Sequence, residues 1–193
     1  LSLLINQAQK WAFIHIPKTG GTSITNVLSK IPGTKILQSH DSIRAFEDVD
    51  DFFIFTFVRN PYTRLASVYE HGIRKGIYKS TFSDLLTKES KSDIWLMPQY
   101  FFTKAGSNKQ KKISFIGKYE NLKEDIKHIF NTIGVNNYKL PHLNRNPIYD
   151  RHPNLKQEGY YKTFYSEDWM IDWVKERYEN DFKIFNYGME LPR

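Results

Sequence analysis

The sequence contains no cysteine. That absence excludes a disulfide framework, a thiolate zinc site and a cysteine nucleophile, and it leaves the redox compartment open. Long apolar runs are missing as well: the run at the start, Leu1 to Ile5, is far too short for a membrane span and lacks the charged flank of a signal peptide. The chain is therefore expected to be soluble, with no integral membrane segment. No internal repeat or low-complexity tract occurs. Acidic residues are outnumbered, 21 against 28 Lys and Arg, for a net charge of +7. An anionic partner suits that balance, whether nucleotide, polyanion, nucleic acid or membrane surface. With 193 residues, 40% of them hydrophobic, the chain can bury a real core, so a disordered protein is excluded and a single domain over 1–193 is expected.

Strand and helix signals alternate. Residues 11–16 (WAFIHI) form a short apolar run ending at Pro17, and Ile24, Val27 and Leu28 then recur at helical spacing. After the turn at Pro32-Gly33, residues 34–39 read as a second strand, and Asp41 is placed to cap a short helix to Phe46. Residues 52–58 (FFIFTFV) are almost continuously apolar, as in a strand buried on both faces. Asn60 and Pro61 then give an N-cap and a first helical residue, predicting a helix to about Lys75. Further on, a helix is expected over 83–88, an exposed loop over 104–112, a strand over 113–117, a helix from Leu122 to Ile133 and a final helix opened by Ser166 to Asp168. Repeated βα units imply an α/β fold in three layers, with ligands at the carboxyl ends of the strands. The loops at 17–23, 39–41 and 59–61 should then lie together.

The segment His15-Ile16-Pro17-Lys18-Thr19-Gly20-Gly21-Thr22-Ser23 falls between a strand and a helix. Gly20 and Gly21 allow close approach of backbone N–H groups to an anion, the helix start adds its positive dipole end, and Lys18, Thr19, Thr22 and Ser23 offer charge and donors. An ordinary βα turn with a surface lysine is the plainer alternative. The segment is not the nucleoside-triphosphate P-loop, in which the lysine follows the last glycine. Nor does the strand at 52–58 end in a metal-holding Asp: it ends in Arg59 and Asn60, which suits an anion better. Arg59, and Ser67 about two turns along the next helix, can hold a second phosphate. Their plainer roles are a salt bridge and helix packing.

HIPKTGGTS followed by FTFVRNPYTRLAS resembles the sulfotransferase superfamily, most closely its carbohydrate-type branch (heparan and chondroitin-like, sulfotransferase family 2). Weaker likenesses lie at Pro98-Gln99 with Phe101, at 116–122 (IGKYENL) and at 176–188. The resemblance implies a P-loop-like fold with a central, mostly parallel sheet flanked by helices. It also implies transfer of a sulfuryl group from 3′-phosphoadenosine 5′-phosphosulfate (PAPS) to a hydroxyl of a carbohydrate, without a metal, leaving 3′-phosphoadenosine 5′-phosphate. Lipid, small-molecule and tyrosine acceptors use the same machinery. By the same resemblance Pro17, Lys18, Thr19, Gly20, Gly21, Thr22 and Ser23 surround the 5′-phosphosulfate, with Lys18 catalytic at the bridging oxygen, and Arg59 and Ser67 hold the 3′-phosphate. The catalytic base is expected at His40, after the second strand, with Glu70 in reserve; His15 is expected to pack, and His128 to be solvated. A family member without an anchor is expected to be cytoplasmic, and no nucleic-acid partner is implied. Two other classes remain open: a Mg²⁺-dependent phosphotransferase, for which Asp41 and Asp51 are the nearby carboxylates, and a non-catalytic polyanion-binding module. The basic connection around His142, Asn144, Arg145, Asn146, Arg151, Lys156 and Lys162 either completes the site or is solvated. Lys109, Lys111 and Lys112 read as a solvated loop.

Overall fold

The computed structural model describes residues 2–37, 51–88, 93–103, 113–136, 138–141 and 159–192. Within these the chain is mixed α/β and forms two compact units: Leu1–Arg59 with Gln99–Leu143, and Asn60–Pro98 with Asn144–Arg193.

The first unit is a five-stranded sheet with helices. Strands β1 (Ser2–Asn6), β2 (Trp11–His15), β3 (Thr34–Leu37), β4 (Phe53–Val58) and β5 (Phe115–Lys118) lie in the order β3-β1-β2-β4-β5. Helix α1 (Gly21–Leu28) follows β2, and α5 (Leu122–Thr132) follows β5 after a 3₁₀ turn at Tyr119–Asn121. Because strand side chains alternate, Trp11 and Phe13 of β2 share a face with Phe55 and Phe57 of β4, and both helices contribute to the cluster there through Ile24, Leu28, Ile126, Ile129 and Phe130. Each such buried side chain contributes about 1.5–3 kcal/mol. The intervening residues of β4, Ile54, Thr56 and Val58, are buried too, as the unbroken apolar run implies. The Thr56 hydroxyl meets that environment by donating to the Ile14 carbonyl at 2.7 Å.

The sheet departs from the expectation of mostly parallel pairing. β2 pairs parallel with β4, and β4 with β5, but β1 is antiparallel to both β2 and β3. The cause is the apolar run at the start, which forms a hairpin with β2 across a turn closed by Lys10 at φ 53°. The strand expected over 34–39 is described only to Leu37, and the short helix after Asp41 lies outside the described residues.

The second unit is helical: α2 (Pro61–Arg74), α3 (Phe82–Lys88), a 3₁₀ turn at Tyr160–Phe164, α6 (Asp168–Arg177) and α7 (Glu179–Ile184). The remaining short helix, α4 (Tyr100–Thr103), belongs to the first unit. Asn60 caps α2 as predicted, its Oδ1 accepting from the Tyr62 amide at 3.0 Å with Pro61 at the first helical position. Aromatic residues dominate the core, and their hydroxyls are paired: Tyr62 donates to Met189 O, Tyr165 to Tyr62 O and Tyr178 to Leu96 O. The final helix is divided at Tyr178 (φ −113°, ψ 22°), and it buries Met170 and Val174, whereas Trp169 is exposed. Among the described residues no helix is long and apolar enough to cross a membrane.

Candidate active site

The loop between β2 and α1 begins at a half-buried His15 and passes through an unusual backbone. Lys18 has φ 68° and Gly20 φ 85°, both left-handed. Gly20 suits that region, but Lys18 carries a β-carbon there, a conformation that costs about 1–2 kcal/mol unless its surroundings hold it. Gly20 is also the N-cap of α1. It supplies no capping side chain, and the first turn contains no acidic residue. The helix start thus keeps its positive end without an internal carboxylate to neutralise it.

Gly20 is demanded by its backbone, with tight packing beside it, and Gly21 by packing alone. A β-carbon on Gly20 would stand 3.2 Å from Tyr119 Cδ2 and 3.3 Å from Leu122 Cδ2. On Gly21 it would fall 2.0 Å from Cδ2 of His15 and 2.4 Å from Nε2, in direct clash with the imidazole. Thr19 is fully buried and its hydroxyl donates to the Ile16 carbonyl at 2.9 Å, so the hydroxyl proton braces the loop from within. Ser23 is buried, with its amide on Gly20 O, whereas Thr22 is exposed and Pro17 and Lys18 are half-buried. The His15 imidazole stacks on Phe13 and bonds Ser2 Oγ at 3.0 Å. Burial, reinforced by the Lys18 charge, pushes its pKa down to about 4. His15 is therefore neutral at pH 7 and packs, as expected from its place in the strand.

Arg59 leaves the carboxyl end of β4 and reaches this loop. Its Nη1 donates to the Lys18 carbonyl at 3.4 Å, which brings the loop at 17–23 together with residue 59 as the topology predicts. The guanidinium lies 4.2 Å from the centroid of the Tyr119 ring, a cation–π contact. Its main chain is held by Gln99, which is fully buried: Gln99 Oε1 accepts from the Arg59 amide and Nε2 donates to the Arg59 carbonyl, each at 2.8 Å. Gln99 and Tyr119 fall within the weaker likenesses at Pro98-Gln99 and 116–122, but the sequence assigns neither a role in the site. The available signal was a lone amide inside the aromatic stretch WLMPQYFF.

The other candidates are distributed differently. Ser67 is half-buried on α2, in the second unit. Arg64, on the same helix, is buried and donates to the carbonyls of Trp95 and Met97, so it braces that segment. Glu70 is half-buried, the His71 ring lies tilted against Trp95 at 4.9 Å between centroids, and His128 is exposed against Phe115. His40, Asp41, His142, Asn144, Arg145, Asn146, Arg151, Lys156, Lys109, Lys111 and Lys112 lie outside the described residues; Lys162 is on the 3₁₀ turn of the second unit.

Asp51, a carboxylate considered for a metal, precedes β4 and forms an exposed ion pair with Lys10. Arg59 follows the opposite end of the same six-residue strand, whose length is about 20 Å at the usual rise per residue. Asp125 does stand near a strand's carboxyl end, but its oxygens accept from the Lys118 amide and from Asn121 Nδ2, both at 2.7 Å. Cations and backbone amides thus dominate the loop, whereas the nearby carboxylate secures the β5–α5 connection.

A protein of Archaeoglobus fulgidus, described only as uncharacterized, is 32% identical over 87 residues, 45% of this chain and 71% of its own length. No solved structure matches. The model of the sulfotransferase family matches residues 2–188, covering the glycine loop, Arg59 and both units. A glycine loop after β2, met by an arginine from the end of β4, thus stands in a chain matched almost from end to end: the protein belongs to the sulfotransferase family, and sulfuryl transfer is the class of activity that membership supports.

Proposed function

We propose that this chain transfers a sulfuryl group from PAPS to an acceptor hydroxyl, of a carbohydrate by its resemblance to that branch of the family. The observation that carries the reading is the meeting of Arg59 Nη1 with the Lys18 carbonyl beside an uncapped helix start. Two cationic residues and the amides opening α1 make a setting for a strongly anionic donor. The residues present fit such a group, because Gly20 and Gly21 put no side chain over the amides and the first turn of α1 has no acidic residue to repel it. A P-loop-like arrangement is supported by the loop's position between β2 and α1, with parallel β4 alongside.

Each residue then has a task. The amides at Gly20, Gly21 and Thr22 bind the 5′-phosphate, with Ser23 beside it on the resemblance, and Arg59 takes the 3′-phosphate; Ser67 is assigned with it on the resemblance alone. Lys18 sets its ammonium against the oxygen bridging phosphorus and sulfur. As that S–O bond breaks, charge grows on the oxygen and Lys18 stabilises it more in the transition state than in the ground state. The acceptor oxygen forms the new bond to sulfur and gives its proton to a base, assigned to His40.

A thermal-shift titration tests the donor site. 3′-Phosphoadenosine 5′-phosphate in EDTA is compared with ATP plus Mg²⁺ and with a 5′-nucleotide lacking the 3′-phosphate. At about 100 times Kd a ligand adds about 2.7 kcal/mol, several degrees for a chain of this size. Stabilisation by the 3′-phosphorylated nucleotide alone supports the proposal. Stabilisation by ATP with Mg²⁺ alone would replace it with phosphoryl transfer, and no response to any nucleotide would favour a polyanion-binding module.

A further inference from the structure

Gln99 satisfies both main-chain groups of Arg59 with its own amide, from forty residues away in sequence and with no exposure to solvent. Arg59 has just left β4, so neither its N–H nor its C=O is committed to a neighbouring strand in the described pairing, which ends at Val58 with Lys118. A buried peptide unit left without partners costs about 1–3 kcal/mol per group, and the primary amide is the side chain that supplies a donor and an acceptor together. Arg59 in turn is fixed at its far end by the Tyr119 ring and by the carbonyl of Lys18. Lys18 is the residue in this loop whose backbone is hardest to maintain, at φ 68° with a β-carbon. Amide, arginine main chain, guanidinium and lysine carbonyl form one continuous series, all in the first unit.

We propose that Gln99 is a positioning residue: its amide sets the main chain of Arg59, and Arg59 through its guanidinium holds Lys18 in the left-handed conformation. Without Gln99 the Arg59 peptide turns to find other partners, the guanidinium shifts, and Lys18 relaxes toward an ordinary backbone region. The ammonium of Lys18 then moves with its own main chain. The catalytic consequence rests on the sulfuryl-transfer reading above, but the backbone linkage does not.

The test is Gln99→Leu, close in size and devoid of both hydrogen bonds, followed by NMR and kinetics. Amide exchange at Arg59 is expected to quicken by about tenfold or more, and the Lys18 Cα and Cβ shifts to leave their left-handed values, while amides of β1 stay protected. Turnover should fall by roughly 10–100-fold, as for a misplacement of up to an ångström, with a weaker Kd for 3′-phosphoadenosine 5′-phosphate. Ile129→Val, in the sheet-and-helix core of the first unit, serves as the control, lowering Tm without moving the Lys18 shifts or kcat. Where Gln99→Leu does not fold, Gln99→Glu retains the acceptor for the Arg59 amide and loses the donor to its carbonyl, and intermediate effects are expected. An Arg59 amide as protected as in the wild type would overturn the proposal, and so would an opened Arg59 beside unchanged Lys18 shifts. Wild-type protein that binds no 3′-phosphorylated nucleotide would remove the functional reading alone, and the NMR comparison would still decide the linkage.

Discussion

The imidazole of His15 occupies the space that a β-carbon on Gly21 would need, with Cδ2 only 2.0 Å from that point. Gly21 is the first residue of α1, where alanine would ordinarily be favoured over glycine by about 0.8–1 kcal/mol. Carbon atoms do not approach so closely, so the ring must move or the helix must start elsewhere.

Gly21→Ala is therefore expected to destabilise, by about 1–3 kcal/mol, because overpacking outweighs propensity. In a His15→Ala background the obstacle is gone, and the same substitution should become neutral or stabilising. Urea denaturation of the four proteins of this cycle measures the coupling. Additive effects would mean that His15 does not set the glycine requirement.

The second expectation concerns acid. Burial holds the His15 pKa at about 4, below its ordinary 6.5, so between those values the unfolded chain binds a proton that the folded chain refuses. Stability should therefore fall as pH drops from about 6.5 to 4, by up to about 3 kcal/mol, and show no contribution from this group above that window. Carboxylates also titrate at the lower end, so the comparison is the difference between wild type and His15→Gln, measured by urea denaturation from pH 7 to 4.5. A difference independent of pH would mean that His15 is protonated in both states or in neither.

How much of this was legible depends on where the partner atoms lie. The two strand-to-helix passages could be read because their signals are side chains adjacent in sequence: Pro17 to Gly21 at the first, Asn60 and Pro61 at the second. β1 was not legible as a strand, since a five-residue apolar run does not disclose whether it pairs, or in which direction, and its hairpin with β2 makes the sheet mixed. In the final helix the apolar Trp169 lies exposed, while Met170 takes the buried position; the break at Tyr178 carries no glycine or proline to announce it. Gln99 belongs to a weaker likeness at Pro98-Gln99, but its role was not legible, because its partners are the backbone N–H and C=O of Arg59, groups that nearly every residue possesses.

For the proton acceptor the expectation is that His40→Ala, assayed at saturating acceptor, loses about 10²–10⁴ in kcat while 3′-phosphoadenosine 5′-phosphate binds as in wild type. Glu70→Gln, on the second unit's α2, should retain most of the rate. Turnover kept by the first variant and lost by the second would transfer the role to Glu70.

Lys18 joins two requirements that substitution can separate, a left-handed backbone and an ammonium. Lys18→Ala keeps the β-carbon and its strain but removes the charge, and kcat should fall by roughly 10²–10³ with nucleotide binding largely retained. Lys18→Gly also removes the charge, but it relieves a conformation at φ 68° that costs a non-glycine residue about 1–2 kcal/mol. Lys18→Gly should therefore be as slow as Lys18→Ala yet more stable than it, with a Tm higher by a few degrees. Lys18→Arg keeps a cation but spreads it over a planar group, so it should recover only part of the rate. Thermal denaturation beside single-turnover sulfuryl transfer for all three variants checks both halves. Equal Tm values for the alanine and glycine variants would show that the loop does not store strain at Lys18, and near-normal turnover in either would remove the ammonium from the chemistry.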